Sequence, residues 1–217
     1  MGVHFPILLK IKDRLCMVVG GGEVALRKVK TLLERGAAVR VISPELDPEL
    51  GELVSRELIE WEARTYQQGD LEGAFLCVAA ADDAEVNAEV RHEAWSRRAL
   101  VNVVDDPEGS DYQTPSFFED GPLLIAVSTS GASPAVARTL RRMIQTWLGD
   151  SFGPALEIIN RFREEVVKKE IRGPRDRVRF WETAVTPELL DRARQGDLSG
   201  VKRMLEHALA QFESRGE

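Results

Sequence analysis

Apolar residues fall along this chain in two rhythms that take turns. Short, largely apolar runs at 16–19, 38–42, 74–80 and 100–104 have the length of strands covered on both faces. Between them the apolar positions recur at helical spacing, and Ala25, Val29, Leu32 and Leu33 mark one face of a first helix. That helix is expected to end at Gly36. Further helices are predicted over 48–58 and 84–98, a short strand over 59–63, and an edge strand over 5–11 with Pro6 near its start. Strands alternating with helices at this pace predict βαβ units around a parallel sheet.

The pattern changes after Asp106. Residues 107–120 read as loop and 122–128 as one more apolar strand. Ser133 and Pro134 suit the N-cap and first turn of a helix whose apolar face is Val136, Leu140, Met143, Ile144, Trp147 and Leu148. From about residue 150 onward the chain reads as helical, ending in a stripe of Val201, Leu205, Ala208, Leu209 and Phe212. The expected fold class is therefore α/β: a Rossmann-type parallel sheet over 1–113, a central α/β region over 114–149 and a small helical module over 150–217.

Composition narrows the function classes without choosing among them. The 217 residues are 43% hydrophobic and 30% charged, as in an ordinary soluble globular protein. No apolar run approaches the ~18 residues of a membrane span, and no signal peptide is expected at the start. A formal charge of −7 argues against general nucleic-acid affinity. Cys16 and Cys77 lie in predicted strands and read as buried thiols in a reducing cytoplasm. His4, His92 and His207 show no ligand spacing, so no metal site is assigned. Eight basic residues (Arg161, Arg163, Lys168, Lys169, Arg172, Arg175, Arg177, Arg179) face four acids in one helical segment. Such a run reads either as a solvated face or as a local site for a polyanionic ligand.

The sharpest chemistry lies in LCMVVGGGEVALRK, residues 15–28. A buried strand runs into three glycines and then a helix, the context that G-x-G-x-x-A requires: Gly20 for the tight turn, Gly22 for close approach of a pyrophosphate, Ala25 for close packing. The helix would aim its free N–H groups and positive dipole end at the phosphates. Ser43, Pro44 and Glu45 stand where a ribose-reading acid belongs, and Arg40 lies inside the strand rather than at its tip, which favours NAD over NADP. The carboxyl edge of the sheet should gather the glycine turn, Ser43 and Pro44, residues 80–82 and Asp105, and ligands bind at such edges. Asp105 reads equally as a base beside a nicotinamide or as a turn aspartate. The hydroxyl-rich turn at 128–134 reads as an anion cradle or as simple capping. Neither Tyr66 nor Tyr112 has a lysine four residues on, so the short-chain dehydrogenase pair is missing.

An ordered set of motifs spans nearly the whole chain: FPILL at the start, VVGGGEVALRK, AAADD at 79–83, NVVDDP at 102–107, TPSFF at 114–118, AVSTSGASPAVAR at 126–138 and RFW at 179–181. Together they resemble the precorrin-2 dehydrogenase/sirohydrochlorin ferrochelatase family, the first part of siroheme synthases. The resemblance implies a cytoplasmic homodimer with its dimerisation region at 114–149, in which NAD accepts a hydride from precorrin-2 to give sirohydrochlorin. Some members then insert Fe²⁺ and others only dehydrogenate, and the sequence leaves both open. It implies Asp105 as the acid/base residue, and Gly20, Gly22, Glu23, Val24, Ser43, Pro44, Ala81 and Asp82 as cofactor contacts. Ser128, Thr129, Ser130, Ser133 and Arg138 become candidate substrate contacts. Where the family pattern leads one to expect SSGGTSP, this chain has STSGASP, one glycine giving way to serine. The methyltransferase domain fused to some members is expected to be absent. The competing class is a nucleotide-sensing regulatory module, which needs the glycine turn but not Asp105, the serine-rich turn and the basic helices as a set.

Overall fold

The structure is a computed structural model that describes residues 4–167, 170–171 and 173–214. It comprises two compact units, Met1–Thr114 and Pro115–Glu217, so the expected central and helical modules fall within one unit.

The first unit is a five-stranded parallel sheet in the order β3-β2-β1-β4-β5. Its strands are β1 (Leu15–Val19), β2 (Ala38–Ile42), β3 (Glu60–Glu62), β4 (Leu76–Ala79) and β5 (Leu100–Val103). The central strand is apolar throughout because both of its faces are covered. Cys16 and Val18 join one core with Ala25 and Val29 of α1 (Glu23–Glu34), while Met17 and Val19 join a second with Val90 and Ala94 of α3 (Ala84–Arg97). Each large side chain buried this way contributes about 2 kcal/mol. The chain moves outward from β1 to β2 and β3, then crosses back to β4. The strand order thus reverses between β1 and β4, which puts the topological switch point at the glycine turn. A further short helix, α2 (Pro48–Ser55), is capped by Asp47, whose carboxylate accepts from the Glu49 N–H at 2.9 Å.

The outer edge of β5 is closed by its own following loop. The Val101 N–H donates to Asp111 Oδ2 at 3.0 Å and the Asp111 N–H returns to the Val101 carbonyl at 2.8 Å. Ser110 Oγ accepts from the Val103 N–H at 2.9 Å. Between β3 and β4, the buried carboxylate of Glu93 organises the loop. It accepts from the Tyr66 hydroxyl, from the Gly69 N–H at 2.9 Å, from the Leu71 N–H at 3.3 Å and from Arg97 Nε at 2.5 Å.

In the second unit β6 (Ser116–Asp120) and β7 (Leu123–Val127) form an antiparallel hairpin, Phe118 opposite Ile125, turning at Gly121 and Pro122. Residues 116–120 were expected to be loop. The Asp120–Gly121 step, with φ +55° at Gly121, is the hairpin signal that identifies the missing strand. The following helix, α4 (Pro134–Leu148), is capped by Ser133 as expected. Its apolar face is a second departure from a core helix: Leu148 is buried and Ile144 half-buried, but Val136, Leu140, Met143 and Trp147 are exposed, the last two at 62%. The rest is helical: α5 (Phe152–Phe162) with a π-turn at Arg163–Val167, α6 (Pro174–Ala184), α7 (Pro187–Arg194) and α8 (Leu198–Ser214). They enclose a core around Phe180, Leu189, Val201 and Leu205.

The expected strand at 5–11 does not form. That segment has no regular secondary structure and pairs with no strand of the sheet, and Phe5 and Leu8 are more than 80% exposed. Its apolar character alone does not supply a ladder, and the β5 edge already carries its own loop.

Candidate active site

Three consecutive glycines do two different jobs. Gly20, at φ +119°, lies so close to β4 that a Cβ there would stand 2.2 Å from the Ala80 carbonyl oxygen. A Cβ on Gly21 would stand 2.0 Å from the Glu45 carbonyl oxygen and 2.6 Å from Ser43 Oγ. Those two glycines let β1, β2 and β4 converge. Around Gly22 nothing lies within 4 Å of where a Cβ would be. Gly22 is the N-cap of α1 and offers no side-chain cap, and Glu23 and Val24 form the first turn after it. Open space in front of an uncapped N-terminus of a twelve-residue helix fits a pyrophosphate. Ala25 is fully buried, as the third position of the fingerprint requires.

Ser43 is buried and donates its hydroxyl to the Glu45 carbonyl at 2.7 Å, while its own carbonyl accepts from Trp61 Nε1 at 2.9 Å. It shapes the loop behind Gly21, leaving Pro44 and Glu45 exposed. Arg40 is engaged with Glu60 at 2.6 Å and approaches Glu62 at 4.0 Å. At the end of β4, Asn87 holds both backbone groups of Ala81: its Oδ1 accepts from the Ala81 N–H at 3.0 Å and its Nδ2 donates to the Ala81 carbonyl at 2.8 Å. Asp82 follows in an exposed bend. Gly21 and Asn87 are not among the residues that the sequence pattern singles out. Gly21 had a visible signal in the third glycine, whereas Asn87 announces itself only through the fold.

The two aspartates after β5 have separate roles. Asp106 builds the turn: its Oδ2 accepts from Arg91 Nη1 at 3.0 Å, its Oδ1 from the Gly109 N–H at 2.9 Å, and its carbonyl from Ser110 Oγ at 2.8 Å. Asp105 is the exposed third residue of the turn Val103–Asp106, which the Asp106 N–H closes on the Val103 carbonyl at 3.3 Å. Its φ of +61° follows a residue of negative φ, the pattern of a type II turn that glycine or asparagine would favour. Among the described residues its carboxylate has no hydrogen bond or ion pair. A strained backbone presenting an uncommitted carboxylate is typical of functional positions. On the α1 side of β5, Lys28 Nζ donates to Asn102 Oδ1 at 2.9 Å. Burial, and secondarily Arg27, push the Lys28 pKa below the usual lysine range.

The remaining candidates belong to the second unit. Ser128 Oγ accepts from the Ser130 N–H at 3.1 Å, Thr129 Oγ1 from the Ser133 N–H at 3.0 Å, and Ser133 Oγ from the Val136 N–H at 3.3 Å. Capping and turn-building thus use these three as acceptors. Ser130 stands at the position of the replaced glycine, exposed, at φ +51°, and Gly131 follows at φ +86°. The backbone shape that glycine would favour is retained by a serine. Arg138 is exposed on the first turns of α4. Of the basic segment, Arg161, Arg163, Arg175 and Arg179 are exposed, while Lys168, Lys169 and Arg172 lie outside the described residues.

A family model described as "Putative NAD(P)-binding" matches residues 7–116. Models described as sirohaem biosynthesis protein central and sirohaem synthase dimerisation region match residues 120–146 and 151–209. The dimerisation description therefore falls on 151–209, whereas the resemblance implies that region at 114–149. The siroheme synthase of Chromobacterium violaceum is 40% identical over 206 residues, covering 95% of this chain and 44% of the relative. That of Methylobacillus flagellatus is 41% identical over 213 residues, covering 98% and 44%. The chain thus spans about half the length of the curated relatives it matches. A solved structure named SirC, precorrin-2 dehydrogenase, superposes with a TM-score of 0.75 over 97% of this chain and 100% of that one, at 24% identity, and shares the fold.

Proposed function

We propose a function that proceeds from family membership: this chain belongs to the NAD(P)-binding family matched over residues 7–116, followed by siroheme-synthase central and dimerisation regions. The function is oxidation of precorrin-2 to sirohydrochlorin with NAD⁺. The observation that carries it is the free carboxylate of Asp105 at the same sheet edge as the open N-terminus of α1, two strand spacings or about 10 Å from β1.

When bound, the dinucleotide supplies a hydride acceptor. The chain's own residues do the rest. Gly22 and the first N–H groups of α1 hold the pyrophosphate, and Gly20 and Gly21 keep the strand ends close enough to form the crevice. Loss of a hydride from the tetrapyrrole must be matched by loss of a proton, and Asp105 Oδ accepts it. The same carboxylate serves the second step of the family's chemistry, taking pyrrole protons as Fe²⁺ enters as substrate. Within the second unit, Ser130, Arg138 and the exposed arginines of the helical region offer the hydroxyl and guanidinium chemistry that carboxylates bind.

NAD is favoured over NADP because Arg40, at the ribose strand, is already neutralised by Glu60 and Glu62. A 2′-phosphate would meet carboxylates there rather than a free guanidinium. The exposed stripe Val136, Leu140, Met143 and Trp147 supports a homodimer, since a patch of that kind on a lone chain is costly to hydrate. Two free buried thiols suit a reducing cytoplasm, and among the described residues no helix is long and apolar enough to cross a membrane.

Mixing precorrin-2 with NAD⁺ should produce NADH absorbance with the wild-type chain. Asp105→Asn should lower that rate by about 10²-fold or more while the Kd for NAD⁺ stays within about twofold. Unchanged turnover in Asp105→Asn would remove Asp105 from the chemistry. Sirohydrochlorin supplied with Fe²⁺ or Co²⁺ tests the second step, and the same variant should lose it.

A further inference from the structure

We propose that Arg91, acting through Asp106 and Gly109, is a positioning residue that fixes the turn on which Asp105 is presented; the proposal rests on the catalytic reading of Asp105 above. The two adjacent aspartates differ in every respect that matters here. Asp106 is tied down at both carboxylate oxygens, while Asp105 is free and held at φ +61°. A left-handed aspartate on an exposed turn relaxes unless its neighbours prevent it. Here they do, from both sides. The Val104 N–H is anchored to the Ala79 carbonyl at 2.9 Å, and Asp106 is anchored to α3 and to the returning loop.

Arg91 is the link to the rigid part of the unit. It projects from α3, whose Val90 and Ala94 are fully buried against the sheet, and its guanidinium lies 5.3 Å from the Trp95 ring centroid. Its Nε is buried with no hydrogen-bond partner, so its hydrogen bonding to the described protein is directed through Nη1 to Asp106. Gly109 makes the approach feasible. A Cβ there would stand 2.2 Å from Asp106 Oδ2 and 2.6 Å from Arg91 Nη1, so any other residue would push the pair apart. Both atoms are ends of flexible side chains, so a Cβ at Gly109 would displace the pair rather than the backbone, and the constraint comes from that contact and not from φ.

The test is steady-state NADH formation from precorrin-2 with the full chain. Arg91→Ala should lower kcat about tenfold, because small displacements of a reacting group cost rate steeply, and leave KM for NAD⁺ within about twofold. Arg91→Lys should recover part of the loss, and Gly109→Ala should reproduce it if Arg91→Ala does not fold. Arg97→Ala, which breaks the ion pair to Glu93 on the same helix, controls for general loosening and should lower Tm without lowering kcat. Wild-type kcat in Arg91→Ala and Gly109→Ala, with Asp105→Asn inactive, overturns the positioning role and leaves the proposed function standing. So does a loss in Arg91→Ala that Arg97→Ala matches or that falls equally on KM. A wild-type chain that forms no NADH from precorrin-2 overturns the proposed function, and the inference with it.

Discussion

Among the described residues, five that are not glycine occupy left-handed backbone: Asp13, Glu57, Arg98, Asp105 and Ser130. Arg98 does so as the C-cap of α3, an ordinary use. Asp105 and Ser130 do so at the two turns to which function is proposed, where a side chain is worth the conformational cost. Replacing either by glycine removes a penalty of about 1–2 kcal/mol and adds back nearly 1 kcal/mol of unfolded-chain entropy. Asp105→Gly should therefore raise stability by about 0.5 kcal/mol in denaturant titrations while abolishing turnover. Ser130→Gly should gain the same stability, and the rise it causes in KM for the tetrapyrrole measures the hydroxyl. Neither Asp105's freedom nor Asp106's engagement was legible in NVVDDP, because both residues suit a turn before proline. Only the partners Arg91, Gly109 and Ser110, reached through the fold, distinguish them.

At the scale of elements, the glycine turn separates packing from binding. Gly21→Ala forces a Cβ to 2.0 Å from a backbone oxygen and should lower Tm by several degrees. Gly22→Ala meets no atom of the protein, so its Tm should change by no more than about 2 °C while NAD⁺ affinity falls about tenfold, read by calorimetric titration. The loop held by Glu93 gives a pH signature. Burial raises the Glu93 pKa, but the hydrogen bonds from Tyr66, Gly69, Arg97 and Leu71 together outweigh it, so the folded value lies below the usual glutamate range. A depressed folded pKa contributes stability that is present above the unfolded value and lost as pH falls through the folded one. Glu93→Gln should thus be less stable by about 2 kcal/mol at neutral pH, with the difference closing below about pH 4. Strands buried on both faces and helices with caps were legible because one physical cause, burial with a period, writes them. The β6–β7 hairpin is half hidden, since Ser116–Asp120 alternates weakly, and the apolar character of 5–11 does not by itself bring a pairing partner.

For the molecule as a whole, the α4 stripe was legible as apolar but not as uncovered, because a periodic pattern marks a face to be buried without saying by what. Trp147→Glu should leave the melting of the first unit unchanged and shift sedimentation from dimer towards monomer. The two chemistries of the chain show unequal traces. Nucleotide binding is written in a contiguous fourteen-residue stretch, while the presentation of Asp105 draws on α3, β5 and the loop after it. The closing of β5 by Asp111 and Ser110 has a consequence for colloidal behaviour. An open parallel sheet that ends in a bare strand invites another chain to extend it, and growth of that kind leads to fibres rather than to closed assemblies. Here two short polar side chains occupy the hydrogen-bonding positions that a fibre would need. Asp111→Ala should strip one of them, and concentrated solutions of that variant should develop thioflavin-positive aggregate while the parent chain stays clear.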